Sequence, residues 1–208
     1  MLHRLVLPVA KLAETTLQDD WQVTLLVDGE PGPLPAQVET LETKLTHQLS
    51  LPTYCEGPIE QLTGAFAKVR TGGLTPEAIP TTENLANFLQ DSAARRIPFK
   101  ATAGLHHPMR SLRPLTYASD SPRAIMHGFL NVFIAAAFAW YGEDELLPDI
   151  LNEEDTRVFV FAGDVLHWRD YGLTTVQIQA ARADFAHSFG SCSFEEPVAD
   201  LRQLGFLP

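Results

Sequence analysis

The chain has 208 residues, of which 45% are hydrophobic, and its formal net charge at pH 7 is −11. We predict a single domain over residues 1–208, because this length can bury one sizeable core. The acidic charge disfavours general binding to nucleic acid or to anionic membranes, because such a surface repels phosphate groups at long range. The most apolar stretch, residues 129–141, is shorter than the roughly 20 residues that cross a bilayer. We therefore expect a cytoplasmic protein that binds neither nucleic acid nor a membrane.

The first 142 residues alternate between strand-like and helix-like segments. Residues 22–27, 53–55, 65–69 and 98–102 are short apolar runs typical of buried strands. Residues 36–49 carry apolar side chains at helical spacing and predict an amphipathic helix, residues 59–64 predict a short helix or turn, and residues 82–94 predict a helix. Alternating strands and helices favour parallel pairing. We predict an α/β fold, a small or incomplete (β/α) TIM-like barrel, with binding sites at the C-terminal ends of the strands.

Residues 143–208 have a different pattern and are predicted to pack on this core as a C-terminal extension. Residues 157–170 alternate around Ala-Gly-Asp and predict a β-hairpin. Thr174 or Thr175 is a suitable cap for a helix running to about residue 189, and residues 195–204 predict a last helix. A short barrel leaves an exposed edge, which a second copy can cover, so a homodimer is expected.

The positive charges are concentrated in one part of the chain. Residues 66–127 contain eight Lys or Arg against four Asp or Glu, a local balance of +4. Lys68 and Arg70 are two residues apart and therefore share a face of a strand. A basic segment in an acidic protein attracts small anions, so we predict a small anionic metabolite as the ligand.

The segment FKATAGLHHPM, residues 99–109, has the highest density of reactive side chains. Lys100 interrupts an apolar strand, and removal of an amine from water favours its neutral, nucleophilic form. Alternatively, such a lysine pairs with a carboxylate such as Glu56 or extends to solvent. His106 or His107 is a candidate acid–base, and Thr102 is a candidate substrate contact. These residues lie between Tyr54 and His127, where we predict the site.

The stretch AKVRTGGLTPEAI followed by PFKATAG resembles the pattern of class I deoxyribose-phosphate aldolases. The resemblance covers roughly 40 residues and implies a TIM barrel, a lyase activity without a cofactor, and Lys100 as the imine-forming lysine. A second lysine of that family has no counterpart here. The same segment also resembles the KTTPGLR turn of quinolinate-type phosphoribosyltransferases, in which lysine and arginine hold anionic groups.

The histidines admit a further interpretation. His106, His107 and His127, with Glu56, can supply ligands to a divalent metal, although acid–base work requires no metal and we predict none. Asn131 lies one helical turn after His127 and can orient a ligand. The segment FGSCSFEEP, residues 189–197, is interpreted as a structural helix cap, and Cys192 lacks the signature of a nucleophile.

Three functions remain open from the sequence. The first is an enzyme that acts on a small anionic carbonyl compound, with Lys100, Glu56, His106 and His107 in catalysis and the cationic side chains in binding. The second is a non-catalytic metabolite-binding or assembly protein. The third is a metal-dependent hydrolase that uses the histidines.

Overall fold

The computed structural model describes residues 4–193 and 195–208. The chain forms two compact units, Met1–Lys68 and Val69–Pro208. The strands are β1 (Arg4–Pro8), β2 (Gln22–Leu26), β3 (Val38–Thr43), β4 (Thr53–Cys55), β5 (Phe66–Arg70), β6 (Phe99–Thr102), β7 (Ser111–Pro114), β8 (Arg123–Met126), β9 (Phe159–Ala162), β10 (Val165–Trp168), β11 (Tyr171–Thr174) and β12 (Ala186–Phe189). The helices are α1 (Thr82–Ala94), α2 (Phe129–Trp140), α3 (Leu147–Asn152), α4 (Thr175–Asp184) and α5 (Glu195–Gln203).

The first unit is built on parallel strands in the order β1-β2-β3-β4-β5. One face of the sheet carries apolar side chains such as Val23, Leu25 and Leu41, which form a hydrophobic core. The pairing of Glu42 with Tyr54, and of Tyr54 with Phe66, places Glu42 and Lys68 together on the other face, since side chains alternate along a strand. This second face is also buried and carries polar groups.

The predicted helix over residues 36–49 is wrong, because strand β3 occupies this segment. Residues 40–43 are all buried and Glu39 alone in this strand is exposed, so the strand shows too little of the alternation that identifies a strand. The connections between strands in the described part of this unit are loops and short 3₁₀ turns such as Val9–Glu14 and Ile59–Gln61. The expected strand–helix repeat is therefore incorrect for the first unit.

In the second unit, helices cover one face of a parallel strand pair. Strand β6 pairs with β12, with Lys100 opposite Ser188. Phe99 of β6 is fully buried and contacts Phe88 of α1 and Phe133 of α2. Because neighbouring side chains on a strand alternate, Lys100 projects from the face opposite this aromatic cluster.

The helix predicted to run to about residue 189 ends instead at Asp184, and the residues that follow form β12. Phe185 leaves the helical conformation and is fully buried, with its ring against those of Phe99 and Trp140. Tertiary packing thus ends the helix. The segment 143–208, which we expected as an extension, supplies this strand of the parallel pair.

Antiparallel elements complete the second unit. Strands β9 and β10 form the predicted hairpin, and β11 pairs with β10. The hairpin of β7 and β8 was not predicted. Helices α1 and α2 confirm the predictions for residues 82–94 and 129–141, and the fold is α/β as expected. Within residues 4–193 and 195–208, the length and polarity of the helices rule out a membrane-spanning helix.

Candidate active site

Two loops of the second unit meet where strands β6 and β12 end. The strands are parallel, so their C-terminal ends lie at the same edge. After β6 the backbone turns through Ala103 and Gly104, with φ of 56° and 86°, and continues to His106 and His107. After β12 the Gly190 amide donates to the Ala101 carbonyl, and the chain continues to Cys192. The position of this edge agrees with the predicted location of sites at the C-terminal ends of strands.

A cavity of about 150 Å³ opens beside these loops. The β7–β8 hairpin and its connecting loop form one wall, and helix α5 provides part of another. The lining residues are His106, His107, Arg113, Pro114, Leu115, Thr116, Tyr117, Met126, Cys192 and Glu196.

A thiol and an imidazole are adjacent in this cavity. Cys192 Sγ lies 3.5 Å from His106 Nδ1, and Ser191 Oγ lies 3.2 Å from the same nitrogen. Partial burial lowers the pKa of His106 from its ordinary value of 6.5, with Glu196 opposing this shift and His107 adding to it. The imidazole is therefore mostly neutral at pH 7 and can accept a proton from the exposed thiol.

A tyrosine approaches the thiol from the hairpin loop. The Tyr117 hydroxyl donates to Glu196 at 3.1 Å and lies 3.9 Å from Cys192 Sγ. The hydrogen bond to Cys192 and, to a smaller extent, the one to Glu196 raise the pKa of Tyr117 to about 12. The phenol remains protonated at neutral pH, and its single hydrogen is donated to Glu196.

His107 is held differently from its neighbour. Its side chain is nearly buried, and Nδ1 lies 2.6 Å from Asp200 Oδ2 on helix α5. Its other nitrogen, Nε2, lies 3.9 Å from Glu196 Oε1. This arrangement fixes the ring and connects the loop after β6 to helix α5.

The other predicted residues of the second unit occupy separate places. Lys100 is 4% exposed, on the strand that leads into the histidine loop. The Thr102 hydroxyl donates to the Val69 carbonyl, and the Thr102 carbonyl accepts from the Thr71 amide, so this residue holds the backbone. Arg70 is exposed at the end of β5.

His127 and Asn131 lie inside the second unit and contact its backbone. His127 Nε2 donates to the Pro80 carbonyl, and burial lowers the pKa of the ring. The fully buried Asn131 amide donates to the carbonyls of Ile150 and Glu153, and its oxygen accepts from the Arg110 amide. These bonds satisfy the Asn131 side chain, which therefore joins three backbone segments.

Lys68 and Glu56 are together in the first unit. Lys68 Nζ lies 3.2 Å from Glu56 Oε2 and 3.5 Å from Glu42 Oε2. Both Lys68 and Glu42 are buried. The two carboxylates neutralise the ammonium group, so Lys68 does not offer an uncompensated positive charge to an anion.

The part of the chain that the structure describes contains no group of three or more His, Cys, Asp or Glu side chains arranged to hold a metal ion. His106, His107 and His127 are therefore not gathered in the way that the metal interpretation requires. Comparisons with protein-family models, with curated proteins and with solved structures found no match to this chain.

Sequence reasoning identified the histidines of the pocket but missed their partners. Cys192, Tyr117, Glu196 and Asp200 are 75 to 93 residues away from the groups they contact. One feature of the sequence could have predicted the position of Cys192, because small residues around it follow a segment that pairs with β6 as a strand. The incorrect prediction that residues 186–189 continue a helix concealed that Cys192 lies at a strand end.

Proposed function

We propose that the protein is an enzyme that acts on a small carbonyl compound, with Cys192 as nucleophile and His106 as acid–base. The proposal rests on the 3.5 Å approach of Cys192 Sγ to His106 Nδ1 in an open cavity. A thiolate is a strong nucleophile, and an adjacent neutral imidazole is a suitable base to generate it.

The reaction we propose is acyl transfer. His106 takes the thiol proton as the Cys192 sulfur bonds to the carbonyl carbon, and the carbonyl oxygen becomes an oxyanion. When the oxyanion collapses, the leaving group departs with its bonding electrons and receives the proton from the imidazolium, which leaves a thioester on Cys192. Water then attacks the thioester, His106 accepts its proton, and the thiol is restored with release of a carboxylic acid.

The neighbouring groups have supporting roles in this scheme. Tyr117 lies close enough to the sulfur to stabilise the oxyanion on the attacked carbon, by turning its single hydrogen from Glu196 to that oxygen. His107, fixed by Asp200, positions the loop that carries His106. The cavity of about 150 Å³ limits the substrate to a small compound.

The test is acylation with small activated esters and thioesters, followed by intact mass and by peptide mapping of the adduct. We expect an adduct on Cys192 in the native protein and none at this position in Cys192→Ser. Cys55→Ser is the matched control, because Cys55 is buried in the first unit, and it should acylate like the native protein. Equal acylation of Cys192→Ser, or an adduct elsewhere, would show that the thiol is not the nucleophile.

A second candidate function is the aldolase-like lyase, for which the burial of Lys100 is the favouring observation. Its amine would bond to a carbonyl carbon with loss of water, giving an imine that borohydride reduces to a stable secondary amine. A reduced adduct on Lys100 after treatment with phosphorylated aldehydes or keto acids would support it, and full activity of Lys100→Met would end it. Together with this second candidate function we propose the TIM-like barrel, the cytoplasmic location and the homodimer that the sequence predicts.

A further inference from the structure

We propose that Arg113 binds a carboxylate of the substrate, so that the enzyme acts on a small carbonyl compound that also carries a carboxylate. This inference rests on the proposed function, because it assigns the substrate class of the Cys192 site. It specifies an anchor on β7, a strand that the sequence did not predict.

The position of Arg113 provides the first argument. Its side chain is 40% exposed, and it is the only Lys or Arg among the described residues that line the cavity. Arg113 Nε donates to Ser111 Oγ at 3.1 Å, and Ser111 Oγ donates to the Met109 carbonyl. One side of the guanidinium is thereby held, which orients the group.

The remaining hydrogen-bonding capacity of Arg113 provides the second argument. Its Nη2 forms a long ion pair with Asp200 Oδ2 at 3.8 Å, which is beyond hydrogen-bond distance, and that oxygen also contacts His107 Nδ1 at 2.6 Å. Within residues 4–193 and 195–208, the terminal nitrogens of Arg113 have no hydrogen-bond partner. A guanidinium with free terminal N–H groups matches the two oxygens of a carboxylate.

The charges around the cavity provide the third argument. Glu196, the one carboxylate among the described residues that line the cavity, already accepts from Tyr117, and Asp200, 3.8 Å from Arg113, is shared with His107. The chain as a whole carries a net charge of −11, which repels small anions at long range. A preference for an anionic substrate would therefore need a local cation beside the thiol, and Arg113 is placed to supply it.

The size of the cavity restricts the ligand further. Its volume of about 150 Å³ corresponds to about five water molecules at about 30 Å³ each. Apolar lining from Pro114, Leu115 and Met126 suits a short carbon chain. The expected substrate is an acid of a few carbon atoms with a second, reactive carbonyl.

The experiment compares iodoacetate with iodoacetamide as alkylating probes of Cys192. Both probes form the same carbon–sulfur bond with loss of iodide, and the thiol proton passes to His106. Iodoacetate carries a carboxylate where iodoacetamide carries a neutral amide. The iodoacetate-to-iodoacetamide rate ratio is first measured for a free thiol, N-acetylcysteine. We expect the native protein to exceed that ratio by about tenfold, as for one charge-assisted hydrogen bond, with a rate that saturates in iodoacetate.

Three variants isolate the contribution of Arg113. Arg113→Gln should bring the ratio back to that of the free thiol, and Arg113→Lys should keep part of the preference. Arg123→Gln is the matched control, because Arg123 lies on the paired strand β8, donates to the Leu112 carbonyl and does not line the cavity. This variant should keep the native ratio, even if the hairpin is disturbed.

The outcomes separate the two proposals. Rapid alkylation of Cys192 without preference for iodoacetate, or a preference that survives in Arg113→Gln, would overturn the assignment of Arg113 and leave the thiol mechanism standing. A Cys192 that reacts with neither probe would overturn the thiol mechanism and the assignment together.

Discussion

Two clusters of charged and polar side chains differ in what their groups are free to do. In the first unit, Lys68 lies between Glu42 and Glu56, and both Lys68 and Glu42 are buried. In the second unit, Cys192 and Tyr117 are exposed beside a cavity. The charged groups of the first cluster are paired with one another, which suits a stabilising role, whereas the second cluster presents reactive groups to a ligand.

The two cysteines show the same contrast. Burial raises the pKa of the Cys55 thiol, with Lys68 opposing the shift, and Cys55 Sγ donates to the His47 carbonyl. Cys192 is exposed and has an imidazole beside it. Accessibility and a neighbouring base, rather than the presence of a thiol, distinguish a reactive cysteine from an inert one.

The largest effect on stability is expected from Lys68→Met. The substitution removes the Lys68 ammonium group from the buried Glu42, and breaking a buried ion pair costs about 3–5 kcal/mol. Urea unfolding followed by circular dichroism measures the loss. The double variant Lys68→Met with Glu42→Gln should recover part of it, because the buried carboxylate charge that Lys68 compensated is also removed.

Lys11→Met is the matched control for this experiment. Lys11 pairs with Glu14 at 2.8 Å, but both side chains are more than half exposed, and exposed pairs contribute at most about 1 kcal/mol. If the Lys68→Met variant is as stable as Lys11→Met, the buried cluster does not have a stabilising role. Lys68 would then again be a candidate for ligand binding.

The next effect is expected at Gly104, which turns the chain from β6 toward the reactive pocket. A Cβ at this position would lie 2.7 Å from the Thr71 carbonyl oxygen and 2.9 Å from Gly72 Cα. Gly104→Ala should therefore lose about 1–3 kcal/mol through overpacking, in addition to about 1–2 kcal/mol for the left-handed backbone. It should also slow Cys192 alkylation by displacing His106.

Gly163→Ala separates these two costs. Gly163 also has positive φ, 57°, but a Cβ there meets no atom within 4 Å. It should lose the backbone term alone and leave the alkylation rate unchanged. If Gly104→Ala and Gly163→Ala lose equal free energies of unfolding, then a methyl group at position 104 causes no overpacking against Gly72.

A smaller effect is expected from pH, and it should come from the second unit. Burial lowers the pKa of both His106 and His127 from the ordinary value of 6.5. Below pH 6.5 the unfolded chain binds more protons at these rings than the folded chain, so stability falls as the pH falls through the folded pKa values. Unfolding free energies at about pH 7.5 and about pH 5 measure this loss.

The variants His106→Gln and His127→Gln test the origin of the pH dependence. Each should reduce the loss between these two pH values, since glutamine does not titrate. The window lies above the range in which Glu153 and Asp155 titrate. Burial raises the pKa of Glu153, but hydrogen bonds and Arg169 outweigh it and the net pKa is lowered, while Arg157 lowers the pKa of Asp155 to about 2. An unchanged loss in both variants would assign the pH dependence to other groups.

The parts of the fold that the sequence predicted have locally decisive patterns. Helix α1 begins after Thr81, whose hydroxyl accepts from the Asn84 amide, and it shows one apolar face. Helix α2 is apolar at every position except Asn131 and is long enough to exclude a strand. The prediction for strand β3 was wrong because residues 40–43 are buried on both faces of the sheet. The sequence pattern of this segment in isolation therefore fits a helix as well as a strand.

The reactive pocket was predictable only in part, for a related reason. His106 and His107 are visible as a polar pair after a strand, and they do line the cavity. Cys192 reaches His106 only because Phe185 ends helix α4 and the chain continues as β12 beside β6. That event depends on contacts between distant aromatic rings, which no local window of sequence contains.

The smallest effect on stability is expected from Tyr117→Phe, which tests the reactive cluster around Cys192. The side chain is 79% exposed, so its loss should change the unfolding free energy by no more than about 0.5 kcal/mol. The variant should nevertheless slow iodoacetamide alkylation of Cys192 near neutral pH, because the thiolate loses a hydroxyl that can turn from Glu196 and donate to it. Stopped-flow alkylation and urea unfolding of the same sample give both values. A loss of stability without a change in rate would assign Tyr117 a structural role, and the reactive cluster would then be limited to Cys192 and His106.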